Sequence, residues 1–192
     1  MSGPWWRSVP AVAAALLIGC GDSGGSSGPA PSAFERYGLD WVLADDGRYA
    51  LRANLAIPAP ADDVWALVRD VNAYQDWSTV LTAHVDELVA GAPIALSIQL
   101  LPAPIPMTDS SEHVKVIDDE VRGVSWGRDF PFDQHSERWQ IVEPEGRDAS
   151  RYYTALVFTD GLGSLMDFTG IGDLTLAAFE TFATELAAQA TR

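Results

Sequence analysis

The chain has very little cysteine, lysine and histidine, and each shortage excludes a class of protein. Cys20 is the sole cysteine in 192 residues, which excludes an intrachain disulfide framework and a cysteine-rich zinc site. Lys115 is the sole lysine, and 12 basic residues stand against 27 acidic ones, for a net charge of −15. This charge argues against nucleic-acid binding, which needs a basic surface to replace the counterions of the phosphates.

Known catalytic and metal-binding motifs are also lacking. His84, His113 and His135 lie on separate segments without the short spacing of a zinc motif. The glycine-rich residues 161–164 do not form a nucleophile elbow, because the serine follows the second glycine. No lysine follows them, as a phosphate-binding loop requires. We therefore expect no metal, no cofactor and no catalytic residues that the sequence alone identifies.

The N-terminus indicates export from the cytoplasm. Arg7 precedes an apolar run at 9–18, which is shorter than the ~20 apolar residues that span a bilayer but typical of a signal peptide. The run ends in Leu-Ile-Gly-Cys at 17–20, which resembles the lipobox of bacterial lipoproteins. The resemblance implies cleavage before Cys20 and lipidation of its thiol. An ordinary signal peptide with a chance cysteine is the alternative.

The residues after Cys20 are rich in glycine, serine and proline, which predicts a flexible tether. We predict a lipoprotein signal peptide at 1–19, a lipidated cysteine and tether at 20–38, and one domain at 39–192. A bacterial cell-envelope protein, anchored in the membrane by lipid and facing the periplasm or the cell surface, follows from this reading. By the sorting rule of the lipoproteins that this N-terminus resembles, aspartate after the cysteine retains the protein in the inner membrane, so Gly21 at that position implies the outer membrane.

The pattern of apolar residues in the domain predicts an α+β fold. Asp62 opens a helix after the prolines at 58 and 60, and a second short helix or turn follows at 74–77. Apolar residues at helical spacing predict a long final helix at 173–190. Strands flanked by helices indicate an antiparallel sheet that one helix must cover. Strands are predicted at 39–43, 49–57, 80–89, 93–101, 112–117, 121–128, 134–142 and 150–159.

Residues 57–71, the Tyr-Gln-Asp-Trp at 74–77, Trp126 and the Glu-Pro turn at 143–144 are similar to the SRPBCC (START-like, helix-grip) superfamily. Its polyketide cyclase/dehydrase-like branch is the closest fit, and the similarity covers roughly residues 48–190. The resemblance implies a curved seven-stranded antiparallel sheet wrapped around the C-terminal helix. It also implies a cavity between them for an apolar ligand, mostly apolar in lining with a few polar groups.

Aromatic and apolar side chains of the predicted strands and helix are candidate ligand contacts, although each also fits a plain core position. His135 and Glu137 share the parity of Trp139, so we expect all three to point into the cavity. A solvated pair at a strand edge is the alternative for His135 and Glu137. The candidate ligand-binding residues are Trp77, Leu96, Ile98, Trp126, Phe130, Phe132, His135, Glu137, Trp139, Phe158, Phe179 and Phe182.

The favoured function is that of a monomeric envelope lipoprotein that binds a hydrophobic small molecule or lipid in its internal cavity. One alternative is a cyclase, dehydratase or isomerase acting on an apolar substrate through His135, Glu137 or Tyr153. The other is a non-catalytic envelope interaction protein whose pocket is too small for a ligand.

Overall fold

The computed structural model describes residues 32–39, 50–100, 105–131, 134–158 and 169–192, with no side chains described at 105–111. The predicted signal peptide, Cys20, residues 40–43 of the strand predicted at 39–43, Phe132 and residues 159–168 lie outside these ranges. In chain order the elements are α1 (Ala33–Tyr37), β1 (Ala50–Ile57), α2 (Ala61–Arg69), a 3₁₀ turn (Val71–Ala73), α3 (Tyr74–Trp77), β2 (Leu81–His84), β3 (Pro93–Leu100), β4 (Ile105–Asp118), β5 (Gly123–Phe130), β6 (Gln134–Pro144), β7 (Ser150–Phe158) and α4 (Ile171–Ala190).

The seven strands form one antiparallel sheet in the order β1-β7-β6-β5-β4-β3-β2, which confirms the predicted α+β helix-grip class. The register shifts between Ile94 and Leu96 and again between Val114 and Val116, and such irregularities bend strands. Gly127 lets β5 approach β6 closely, because a Cβ there would lie 2.2 Å from the Ser136 carbonyl oxygen. The sheet therefore curls into a half-barrel with one concave face.

Helix α4 packs on the concave face and supplies the centre of the core. Phe182 and Leu186 are fully buried there and join Val64 and Val68 of α2 in one apolar cluster. Glu185 fixes the loop after α3 to this helix, because Ser78 Oγ donates to its carboxylate at 3.0 Å and the Thr79 amide also donates to it. The helix begins at Ile171, two residues earlier than predicted.

Helix α1 packs on the convex face and was not predicted. Ser32 and Glu35 form a reciprocal capping box at its start, which satisfies backbone amides that the short helix leaves free. Phe34 packs with Trp139 and Ile141 of β6 in a second apolar cluster. The sheet is consequently covered on both faces at this point.

Two predicted segments differ from the observed ones. The strand expected at 80–89 ends at His84. The Asn72 side chain donates to the Val85 carbonyl at 2.9 Å and accepts from the Val85 amide at 3.0 Å. Both backbone groups of Val85 are therefore bonded to a side chain and not to a neighbouring strand. The strand expected at 121–128 ends later than predicted, because β5 continues to Phe130, which pairs with Gln134. Among the described residues, no helix is long and apolar enough to span a membrane.

Candidate functional site

The two faces of β6 carry different kinds of side chain. Successive residues of a strand point to opposite faces, so Arg138 and Gln140 face α4 while Trp139 and Ile141 face α1. All four are buried. Buried polar side chains therefore lie between the sheet and the long helix, where the core would otherwise be apolar.

Gln140 joins two buried tyrosines in a chain of hydrogen bonds. Tyr152 Oη donates to Gln140 Oε1 at 2.5 Å, and Gln140 Nε2 donates to Tyr74 Oη at 3.3 Å. Tyr74 in turn donates to the Val68 carbonyl at 2.5 Å. Burial raises the pKa of both tyrosines above the ordinary value and outweighs the nearby charge of Arg138, which acts to lower it. Each hydroxyl therefore stays protonated and acts as a donor.

Arg138 lies beside this chain and is 3% exposed. Its Nε donates to Thr154 Oγ1 at 3.2 Å, while Nη1 and Nη2 are buried without a hydrogen-bond partner among the described residues. Its guanidinium carbon lies 4.1 Å from the centre of the Phe179 ring and 5.6 Å from that of Phe182. The arginine is thus enclosed by aromatic rings.

The structure brings together six of the predicted ligand-binding residues near this arginine or in the core beside it. Trp126 lies opposite Arg138 in the sheet, with its ring centre 5.7 Å from the guanidinium carbon. Phe179 and Phe182 cover the arginine from α4. The remaining three belong to or pack against the apolar cluster beneath α4: Trp77, whose ring lies 5.1 Å from that of Phe182, Leu96, which is buried, and Ile98, which is partly buried.

Three other predicted residues lie on the opposite face, and the expectation that they point toward the helix is wrong. Trp139 packs in the convex cluster with Phe34 and is 5% exposed. Glu137 has the same parity and accepts a hydrogen bond from Ser125 Oγ at 2.7 Å. His135 is exposed. The shared parity was predicted correctly, but α1 covers the convex face, so an apolar residue there does not have to face α4.

Two further candidates lie toward the ends of their strands. Phe130 is partly exposed, and its ring centre lies 4.8 Å from the Arg128 guanidinium carbon. Phe158 closes β7 opposite Ser136 and is partly exposed. Phe132 lies outside the described residues. Neither Phe130 nor Phe158 is in the apolar cluster beneath α4.

The described residues also line two surface clefts. The larger, of about 580 Å³, lies between α2, α3 and the end of α4 and includes Trp77 with the carboxylates of Asp63, Asp70 and Asp76. The smaller, of about 360 Å³, lies between β1 and α4. Neither includes the buried polar residues of β6. Within the described ranges, no three His, Cys, Asp or Glu side chains converge as metal ligands would.

Sequence reasoning missed the polar residues of the interior: Tyr74, Arg138, Gln140, Tyr152 and Thr154. From Arg138 to Ile141, polar and apolar residues of β6 alternate, and such alternation usually places the polar residues in solvent. Here α1 covers the convex face, so the apolar residues of β6 pack against α1 and the polar residues lie in the interior. The available signal was the short segment at 32–37, where a serine precedes a glutamate by three residues as in a capping box.

Neither the protein-family models nor the curated protein sequences contain a match to this chain. Solved structures do match. A protein of Thermus thermophilus is 19% identical and has a TM-score of 0.56, and the alignment covers 74% of this chain and 97% of that protein. A protein of Thermobifida fusca is 21% identical over 75% and 94% of the two chains, with a TM-score of 0.51. Truncated norcoclaurine synthase from Thalictrum flavum is 13% identical over 73% and 91%, with a TM-score of 0.52.

These similarities concern the fold, since every identity is low. The curled antiparallel sheet and the long C-terminal helix are those of the helix-grip fold. The fold expected from the sequence is confirmed, and function has to be argued from the residues of the interior.

Proposed function

We propose that this chain is a lipid-anchored protein of the bacterial envelope whose helix-grip domain binds a hydrophobic small molecule or lipid between the sheet and α4. The observation that carries the binding proposal is the composition of that interior. Aromatic rings of Trp126, Phe179 and Phe182 surround a small number of polar groups that converge on one place. Ligand sites are typically apolar with a few placed polar groups, and a plain core has no need of them.

The enzymatic alternative has less support. A general acid or base must come within hydrogen-bond reach of the substrate. Glu137, His135 and Tyr153 were the candidates, and all three belong to the convex side of β6 and β7. The tyrosines that do face α4 have raised pKa values, so they are donors and poor bases at neutral pH.

The envelope location rests on the sequence of residues 1–20. Lipid would hold a domain with a net charge of −15 near an anionic membrane that would otherwise repel it. A Gly/Ser/Pro segment between Cys20 and α1 would let the domain stand away from the bilayer. A lipid anchor of more than one acyl chain is needed for stable attachment.

Mass spectrometry tests both parts of the proposal. The purified full chain is extracted with organic solvent, and we expect a hydrophobic compound in stoichiometric amount. An empty extract, with no thermal shift on addition of fatty acids, sterols or polyphenols, would contradict ligand binding. In a bacterial host, the mass of the N-terminal peptide is expected to show acylation at Cys20, and Cys20→Ala is expected to abolish it. An unmodified Cys20 would contradict the anchor.

A further inference from the structure

Arg138 carries a charge that nothing in the described interior balances. Arginine remains protonated inside proteins, so burial does not neutralise it. No Asp or Glu lies within ion-pair distance of its guanidinium in the described part of the chain. A buried charge without a partner is strongly unfavourable.

The aromatic rings around Arg138 offset this cost only in part. The Phe179 ring centre at 4.1 Å is within cation–π distance, and Phe182 and Trp126 lie at the outer limit of that range. A ring face attracts the charge but does not accept hydrogen bonds from the edge of the guanidinium plane. The N–H groups on Nη1 and Nη2 therefore still need acceptors.

The neighbouring polar groups do not supply those acceptors: three of their oxygens hold other partners, and Tyr152 Oη, which interacts with Arg138, has no hydrogen-bond geometry to Nη1 or Nη2. Gln140 Oε1 accepts from Tyr152, and Tyr74 Oη accepts from Gln140. Thr154 Oγ1 accepts from Arg138 Nε, at the other end of the guanidinium. The described interior thus leaves Nη1 and Nη2 without hydrogen bonds.

The unpartnered atoms around the arginine are all donors. They are Nη1 and Nη2 of Arg138 and the indole N–H of Trp126, which is also buried and without a partner among the described residues. A ligand that satisfies this region must therefore bring acceptors and negative charge. A carboxylate does both, because its two oxygens accept two parallel N–H bonds from one guanidinium.

The geometry also indicates which end of the guanidinium the ligand takes. Nε is occupied by Thr154, which leaves the Nη1 and Nη2 end for this pairing. We propose that the ligand is an amphipathic acid whose carboxylate binds Nη1 and Nη2 of Arg138, with its apolar part against the rings of Phe179 and Trp126. This inference rests on the proposed function and names the class of ligand.

The test compares acids with their neutral amides. The purified full chain is titrated by calorimetry with dodecanoate and dodecanamide, and with a naphthoate and its naphthamide. We expect at least one acid to bind ~10-fold or more tightly than its amide, which corresponds to about 1.4 kcal/mol. Arg138→Met, which keeps the apolar length of the side chain, is expected to remove the preference. Arg147→Met is the control, since it removes one positive charge from an exposed surface position.

The outcomes separate the two proposals. If amide and acid bind the wild type equally, or if the preference survives in Arg138→Met, the carboxylate inference is wrong while hydrophobic binding stands. If no member of either pair binds and the solvent extract is empty, the proposed function itself fails, and the inference fails with it. Circular dichroism of each variant shows whether a loss of binding is a loss of fold. Should Arg138→Met not fold, Arg138→Lys is used. Lysine keeps the charge but lacks the two parallel N–H donors of the guanidinium, so this variant is expected to weaken acid binding.

Discussion

At residues 138–141 both faces of strand β6 are buried, but the faces differ in whether their polar groups have hydrogen-bond partners. On the convex face, Trp139 and Ile141 pack with Phe34 in an apolar cluster, and neither carries a charge. On the concave face, Arg138 and Gln140 lie under α4, and Arg138 keeps two unpartnered nitrogens. Burial on the first face stabilises the fold, whereas burial of the charge on the second costs free energy. We propose from this contrast that the convex face serves the fold and that the concave face contacts the ligand.

Removing one tryptophan from each face is expected to give the largest effects and to sharpen this contrast. Trp126→Ala and Trp139→Ala each delete a buried indole, and each is expected to lower the free energy of unfolding by about 3–5 kcal/mol. Trp126→Ala alone is expected to weaken ligand binding as well. Urea unfolding measures the first effect, and titration with dodecanoate under folding conditions measures the second. Equal loss of binding in both variants would remove the functional distinction between the faces.

Two adjacent tyrosines of β7 provide a smaller and more closely matched comparison. Tyr152→Phe removes the hydroxyl that donates to Gln140 Oε1 and leaves a buried acceptor unsatisfied. We expect the free energy of unfolding to fall by about 1–3 kcal/mol. Tyr153→Phe, on the convex face beside Phe34, is expected to change it by less than about 0.5 kcal/mol. If urea unfolding gave similar decreases in the free energy of unfolding for both variants, the hydrogen bond from Tyr152 to Gln140 would not contribute specifically to stability.

The attachment of α1 to the convex face is expected to give the smallest effect, and it depends on pH. Burial alone would raise the pKa of Asp118, but donation from Tyr37, from Arg36 and from backbone amides outweighs it and lowers that pKa. A carboxyl whose pKa is lowered by folding stabilises the folded state above its unfolded pKa of about 3.9. That contribution disappears as the pH falls through the lower, folded value.

Hydrogen exchange across acidic pH measures this effect in α1. The Leu39 amide, which donates to the Phe34 carbonyl, is expected to lose protection as Asp118 becomes protonated. Asp118→Asn is the control, and its protection is expected to be lower and to vary less over the same range. If wild type and variant show the same pH dependence, then Asp118 does not hold the helix in place.

The sequence was sufficient to predict the order of the elements from β1 to α4 and the class of fold. Strong alternation in β3 and the apolar stripe of α4 carry that information locally, because each element must bury one face. The end of β2 at His84 could not be predicted, since it depends on the side chain of Asn72 from another element. Tertiary contacts of this kind are not encoded in the periodicity of a single strand.

The candidate site was only partly predictable for a similar reason. Trp126, Phe179 and Phe182 were identified, because large aromatic residues at core parity line the interior of such a fold. Arg138 was missed because arginine is mostly exposed in folded proteins. Which face of β6 is interior depends on α1 and α4 together, and both are distant in sequence from the strand.

Thermal unfolding of the wild type and of Arg138→Met, each with and without dodecanoate, tests the central claim most directly. Without ligand, the variant is predicted to melt at the same temperature as the wild type or higher, because an apolar side chain replaces an unbalanced buried charge. With saturating dodecanoate, the melting temperature of the wild type is predicted to rise well above that of the variant, because the ligand binds only the folded state. A variant that melts lower without ligand, and that dodecanoate stabilises as much as the wild type, would show that Arg138 is structural and would contradict the account.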